Sequence, residues 1–115
     1  MYLHLLWSTK NQKSSIPTHI VSQLYHYICD VTLLNNCQTI GGQVFSDHLQ
    51  LVVKFSPEIR LADLIINLKV VTLLWMRTNF PEMRDFEWQK SDFSLTVSTK
   101  EVGPLVNKIT QSGCF

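Results

Sequence analysis

The sequence predicts an α+β domain in which four strands and three helices follow the order β-α-β-β-α-β-α. Three observations carry the prediction. Two long stretches repeat apolar residues at helical spacing, around residues 20–34 and 61–75. Four shorter stretches are apolar or alternate apolar with polar residues, as strands do. Turn-forming residues separate them, among them Pro17, Asn35-Asn36, "SPE" at 56–58 and Pro81.

The elements follow in order. "YLHLLWS" (2–8) is short, apolar and aromatic, which suits a strand. "TKNQKSSIP" is a polar loop ending in Pro17, a residue that can open a helix. Ile20, Leu24, Ile28, Val31 and Leu34 mark one face of that helix, and Asn35-Asn36 closes it. "CQTIGGQVF" is the second strand, with a bulge or bend expected at Gly41-Gly42. Asp47 lies near the turn into the third strand, "DHLQLVVKF" (47–55). Leu61, Leu64, Ile65, Leu68, Thr72 and Trp75 form the stripe of a second amphipathic helix that ends before Pro81. "MRDFEWQKS" connects it to a fourth strand, "DFSLTVS" (92–98), with Phe93, Leu95 and Val97 on one face. Val102, Leu105 and Ile109 then define a short C-terminal helix. This order is the split βαβ, or ferredoxin-like, antiparallel arrangement with one helix added.

The chain has 115 residues and a formal charge of +1, enough length for one domain with a real core and no strong overall attraction to nucleic acid. Cys29, Cys37 and Cys114 have no metal-like spacing, and an odd number of cysteines suggests a reducing compartment over a disulfide framework. Asp63, Asn67 and Lys69 interrupt the longest apolar-rich stretch, so no membrane span is expected. No signal peptide precedes the first strand, and a cytoplasmic location is expected.

The third strand carries the chemical question. Leu49, Leu51, Val53 and Phe55 share one face, and His48, Gln50, Val52 and Lys54 share the other. Two imidazoles at positions 48 and 50 would form half of a metal site; this strand offers one imidazole and one amide. Among the remaining candidates, His4 alternates with Leu3 and Leu5 as a satisfied structural histidine does. His19 and His26 share a helix face, which alone makes no metal site. Tyr25 and Tyr27 suit packing or surface roles, and Trp7 and Trp75 suit a core.

In combination, "HLLWSTKNQ" (4–12), "GGQVFSDHLQLVV" (41–53), "LADLIINLK" (61–69), "FPEMRDFEWQ" (80–89) and "FSLTVSTKEV" (93–102) resemble the single-tyrosine transposases of the HUH class, particularly their repeat-associated branch. The resemblance covers nearly the whole chain and implies the same ferredoxin-like fold. It also implies a His-hydrophobe-His strand holding a divalent cation, Mg²⁺ or Mn²⁺, with a third ligand from the last helix. A tyrosine on that helix attacks the scissile phosphate and becomes joined to DNA. The implied partners are single-stranded transposon ends recognised through hairpins, and a second copy of the chain as a homodimer. Lys10 and Lys13 flank a polar loop suited to phosphate contact, Trp88 lies in a connection beside Gln89, and Lys69 matches a lysine of the family; these five are the candidate DNA contacts.

The sequence departs from that pattern at its chemical positions. His48-Leu49-Gln50 retains only the first histidine, although an amide oxygen can bind a hard cation. Lys108 falls on the tyrosine position, and no tyrosine follows Tyr27. Gln111, the candidate third ligand, lies one residue, about 100° of helix, from the matching position. Ser98 and Glu101 have capping-box spacing, yet a helix begun there meets Gly103-Pro104, and an interior proline costs about 3 kcal/mol. A helix begun at Pro104 or a kinked one is expected. Val70, Val71, Leu73 and Leu74 make the second helix unusually apolar, as a partner interface would require. The expectation is a family member that keeps the scaffold and DNA binding without cleavage. The alternatives are an active enzyme with altered residues and an interaction dimer without a DNA role.

Overall fold

A computed structural model of the chain describes residues 1–112, with side chains described through Thr110. The strands are β1 (Tyr2–Ser8), β2 (Gln38–Val44), β3 (His48–Lys54) and β4 (Phe93–Val97). The helices are α1 (Thr18–Leu34), α2 (Leu61–Asn79) and α3 (Thr99–Ser112), and short 3₁₀ turns cover Lys10–Gln12 and Pro81–Met83. The strands form one sheet in the order β2-β3-β1-β4, with every neighbouring pair antiparallel. This is the α+β, ferredoxin-like arrangement that the hydrophobic periodicity predicts. No helix among the described residues is long and apolar enough to cross a membrane.

One face of the sheet meets α1 and α2 and forms the core. Leu3, Leu5 and Trp7 of β1 and Leu49, Leu51 and Val53 of β3 are buried there with Ile20, Leu24 and Ile28 of α1 and Leu64, Leu68 and Met76 of α2. The period-2 and period-3.6 patterns thus meet at a single apolar layer. Tyr27 stacks on Trp75 with ring centroids 4.7 Å apart, joining the two helices at the edge of that layer. Pro17 takes the extended N-cap conformation of α1. At the other end Asn36 adopts φ 61°, while its N–H and that of Cys37 donate to the carbonyls of Leu33 and Thr32. These two bonds complete a Schellman cap with asparagine in the left-handed position.

The strand irregularity expected at Gly41-Gly42 falls between Thr39 and Gly41, so that Ile40 is the extra residue. The glycines serve close approach instead. A Cβ on Gly42 would collide with the Gln50 carbonyl oxygen, and one on Gly41 would sit 2.6 Å from Val106 Cγ1 of α3. In β4, Phe93, Leu95 and Val97 do share a face, the one that also bears Tyr2, His4 and Leu6. That face lies opposite the α1–α2 core. Val97 is buried, whereas Phe93 and Leu95 remain exposed.

The C-terminal helix neither begins at Pro104 nor breaks there: it runs from Thr99 through Gly103-Pro104 as one helix. Its start shows why. The Ser98 N–H donates to Glu101 Oε1 at 3.2 Å, the backbone half of a capping box. Hydrogen bonding from the Ser98 side chain, and then from its backbone N–H, holds the Glu101 carboxyl below its ordinary pKa. Proline therefore sits in the second turn, where it removes one donor but not the cap. Val106 against Gly41, with buried Ile109, seats the helix on the open face of the sheet. Packing outweighs the local propensity cost.

Candidate functional site

The open face presents Tyr2, His4, Leu6 and Ser8 from β1 beside Lys54, Val52, Gln50 and His48 from β3, in register. His48 is held as a metal-binding histidine would be. Its Nδ1 lies 2.7 Å from Asp47 Oδ1, and Phe45 stacks on the ring with centroids 4.3 Å apart. A carboxylate on one ring nitrogen fixes the tautomer and leaves Nε2 as the lone-pair donor. Gln50 is engaged differently. Its Oε1 accepts a 3.0 Å hydrogen bond from His4 Nε2–H, a diagonal neighbour across the β1–β3 pair. His4 is thus the satisfied polar residue that its alternation with leucines predicts, and its partner is the amide at the second histidine position. No sequence signal gives this pair, because it depends on strand register.

Lys108, at the position where the resemblance places a tyrosine, lines a groove with His4, Leu95 and Pro104. That groove opens at the His4–Val52 row, two same-face rows from the Ser8–His48 row. The separation along the strand is roughly 13 Å at strand rise. The structure therefore places Lys108 in the groove that opens at His4. Gln111 lies outside the residues whose side chains are described. Among the described residues no group of three or more His, Cys, Asp or Glu is placed to hold a metal ion. Among the described residues the strand offers one imidazole oriented by Asp47 and one amide oxygen that accepts from His4.

The segment from Glu87 to Asp92 contains two of the five expected DNA contacts, Trp88 and Gln89, and is tied to the body of the protein. Trp88 is buried, its indole N–H donating to Thr72 Oγ1 at 3.1 Å, with Trp7 and Phe86 packed edge-on against it. Core side chains cover the ring of Trp88, a candidate DNA contact in this segment. Lys69 Nζ donates to the carbonyls of Gln89 at 2.7 Å and Lys90 at 3.2 Å and lies 3.7 Å from Asp92 Oδ2. Its ammonium pins the connection to α2 rather than projecting into solvent. Gln89 Oε1 accepts from the Asn11 N–H, and the Gln89 N–H donates to the Ser8 carbonyl. Lys10 pairs with Glu87 at 2.8 Å on the surface, and that contact holds the Glu87 carboxyl below its ordinary pKa. Lys13 is exposed. These ties show why "F-WQ" and "WSTKN" occur together: the strand end and the connection bond to each other, including a bridge between Thr9 and Trp88.

The family model for IS200-like transposases matches residues 1–111. The chain belongs to that family. Among curated proteins it is 22% identical over 85 residues to the ISDra2 transposase TnpA of Deinococcus radiodurans, a match covering 74% of this chain and 61% of that protein's length. Among solved structures, a transposase candidate from Deinococcus radiodurans R1 superposes with a TM-score of 0.77 at 20% identity, covering 98% of this chain and 90% of the other. A REP-associated tyrosine transposase bound to a REP hairpin superposes with a TM-score of 0.71 at 15% identity, covering 96% and 65%. At these identities the superpositions establish the fold.

Proposed function

We propose that this IS200-like transposase family member binds single-stranded or hairpin DNA and does not cleave it. The observation that carries the reading is the His4–Gln50 hydrogen bond, which uses the amide standing where a second imidazole is needed. Lys108 in place of a tyrosine supports it further, since an amine would give a phosphoramidate rather than a phosphotyrosine ester. Support for a DNA partner comes from the family and from the REP hairpin held by a protein of the same fold. The formal charge of +1 means that binding rests on local cations such as Lys10 and Lys13 rather than on the whole protein's field.

The test uses a labelled hairpin oligonucleotide with single-stranded flanks, with and without Mg²⁺ or Mn²⁺. The expected result is a mobility shift that weakens steeply with salt, and no covalent adduct or nick. A covalent adduct formed in good yield by the unaltered chain would overturn the reading. Lys108→Tyr alone is expected to restore nothing, because Gln50 remains; Gln50→His together with Lys108→Tyr is the stringent reconstruction.

A homodimer is a second reading, favoured by one observation. Ile66, Val70 and Leu74 are all exposed on α2. Their four-residue spacing forms a single apolar ridge suited to helix–helix packing against a second copy. Asp63 and Arg77 lie seven residues either side of Val70, so two antiparallel copies would bring opposite charges together at each end.

A further inference from the structure

Between the end of β1, the 3₁₀ turn and the start of β4 lies a cleft of about 440 Å³ lined by Leu6, Asn11, Gln12, Gln89, Asp92 and Phe93, among others. We infer that this cleft seats one unpaired guanine base; the inference rests on the DNA-binding reading and adds base selectivity to it. Phe93 is 48% exposed, so its ring presents a face on which a base can stack. Beside Leu6, Trp7 and Phe93, the polar part of the lining is amide, hydroxyl and carboxylate with no Lys or Arg, a composition that suits a base and not a phosphate.

The hydrogen-bonding pattern selects the base. Gln89 Oε1 is occupied by the Asn11 N–H at 3.0 Å, so the Gln89 amide has its NH₂ left to donate. Asp92 lies beside the Lys69 ammonium and supplies two acceptor oxygens. Guanine matches both: its N1–H and N2–H₂ pair with a carboxylate, and its O6 and N7 accept from an amide. Adenine and cytosine each offer one exocyclic amine beside a ring-nitrogen acceptor, and thymine one N3–H between two carbonyl acceptors, so only guanine presents two adjacent donors to the Asp92 carboxylate. The wall is also strained, with Asn11 at φ 58° and Gln12 at φ 54°, two consecutive non-glycine residues in the left-handed region. Strain of this kind clusters where a chain is shaped around a ligand. Leu6 and Ser8, which line the cleft, pair in register with Gln50 and His48. A seated base would therefore belong to a nucleotide beside the altered chemical positions.

The experiment titrates the whole chain with short fluorescein-labelled oligo-dT strands carrying one central G, A, C or no substitution, and separately follows backbone amide resonances with dGMP. The G strand is expected to bind about tenfold more tightly than the A strand, and dGMP to shift the amides of Gln89 and Phe93. Phe93→Ala should lower affinity for the G strand about tenfold, and Asp92→Asn should erase the preference for G without weakening the A strand. Both side chains lie at the surface, and an unchanged melting temperature confirms that the variants fold. Equal binding of all strands with silent cleft amides overturns the pocket and leaves the DNA reading intact. Shifts at the cleft with no strand or hairpin binding support the pocket and overturn the DNA reading. No binding by any probe overturns both.

Discussion

Gly41→Ala tests how α3 is seated. The added Cβ would lie 2.6 Å from Val106 Cγ1, 3.1 Å from Cγ2 and 3.4 Å from Cβ. Ordinary contact needs about 1 Å more, so α3 must lift or Val106 must rotate away from its seat. Overpacking of this size costs about 1–3 kcal/mol. Val106→Ala alone removes two partly buried methyl groups and costs about 1 kcal/mol. It also removes both Cγ atoms that the new methyl would strike. The double variant should therefore be no less stable than Val106→Ala, which gives a favourable coupling of about 1–3 kcal/mol where additivity predicts none. Urea unfolding of the four proteins gives the coupling, and hydrogen exchange locates it. In Gly41→Ala, protection should fall across Val106–Thr110 while α1 and α2 keep theirs. A coupling near zero, or loss of protection spread evenly over the chain, would refute the placement of α3 on β2.

Thr72→Val keeps the shape of the side chain but strands the Trp88 indole N–H, which now bonds to Thr72 Oγ1 inside the core. The cost is expected at about 1–3 kcal/mol, read as a lower denaturant midpoint with unchanged m. Leu74→Glu is expected to abolish self-association in sedimentation equilibrium while changing stability by less than about 0.5 kcal/mol, because Leu74 is exposed; a dimer surviving the change would remove the α2 interface. Burial, with the neighbouring Cys29, pushes the Tyr25 hydroxyl up from 10.0 to about 12. The folded state then holds the proton more tightly than the unfolded one, so this contribution is complete below pH 10 and is lost as pH rises towards about 12. Tyr25→Phe should flatten the stability profile across that window, and an unchanged slope would assign the loss to other groups.

The sequence by itself determined the element order and the core. Leu3, Leu5 and Trp7, Leu49, Leu51 and Val53, and the stripes of α1 and α2 declare their buried faces through period, because burial repeats with the geometry of each element; the exception is Leu34, exposed at the last turn of α1 where the sheet no longer covers the helix face. Gln50 and Lys108 stand in the sequence where the resemblance marks a histidine and a tyrosine. Tertiary structure decided what those residues touch. Register sets His4 diagonal to Gln50, and docking of α3 across Gly41 places Lys108 in the groove at His4. The fate of Trp88 and Lys69 was likewise settled by the path of the connection back against β1 and α2. A start of α3 at Pro104 was misjudged from propensity, since a cap at Ser98 and a seat against β2 together outweigh one lost hydrogen bond. The cleft at Phe93 has no signature in the chain, because its walls come from segments some eighty residues apart that only strand pairing brings together. Periodicity is a local property and can be read along the chain; contact between distant segments depends on register and docking, which one-dimensional spacing does not encode.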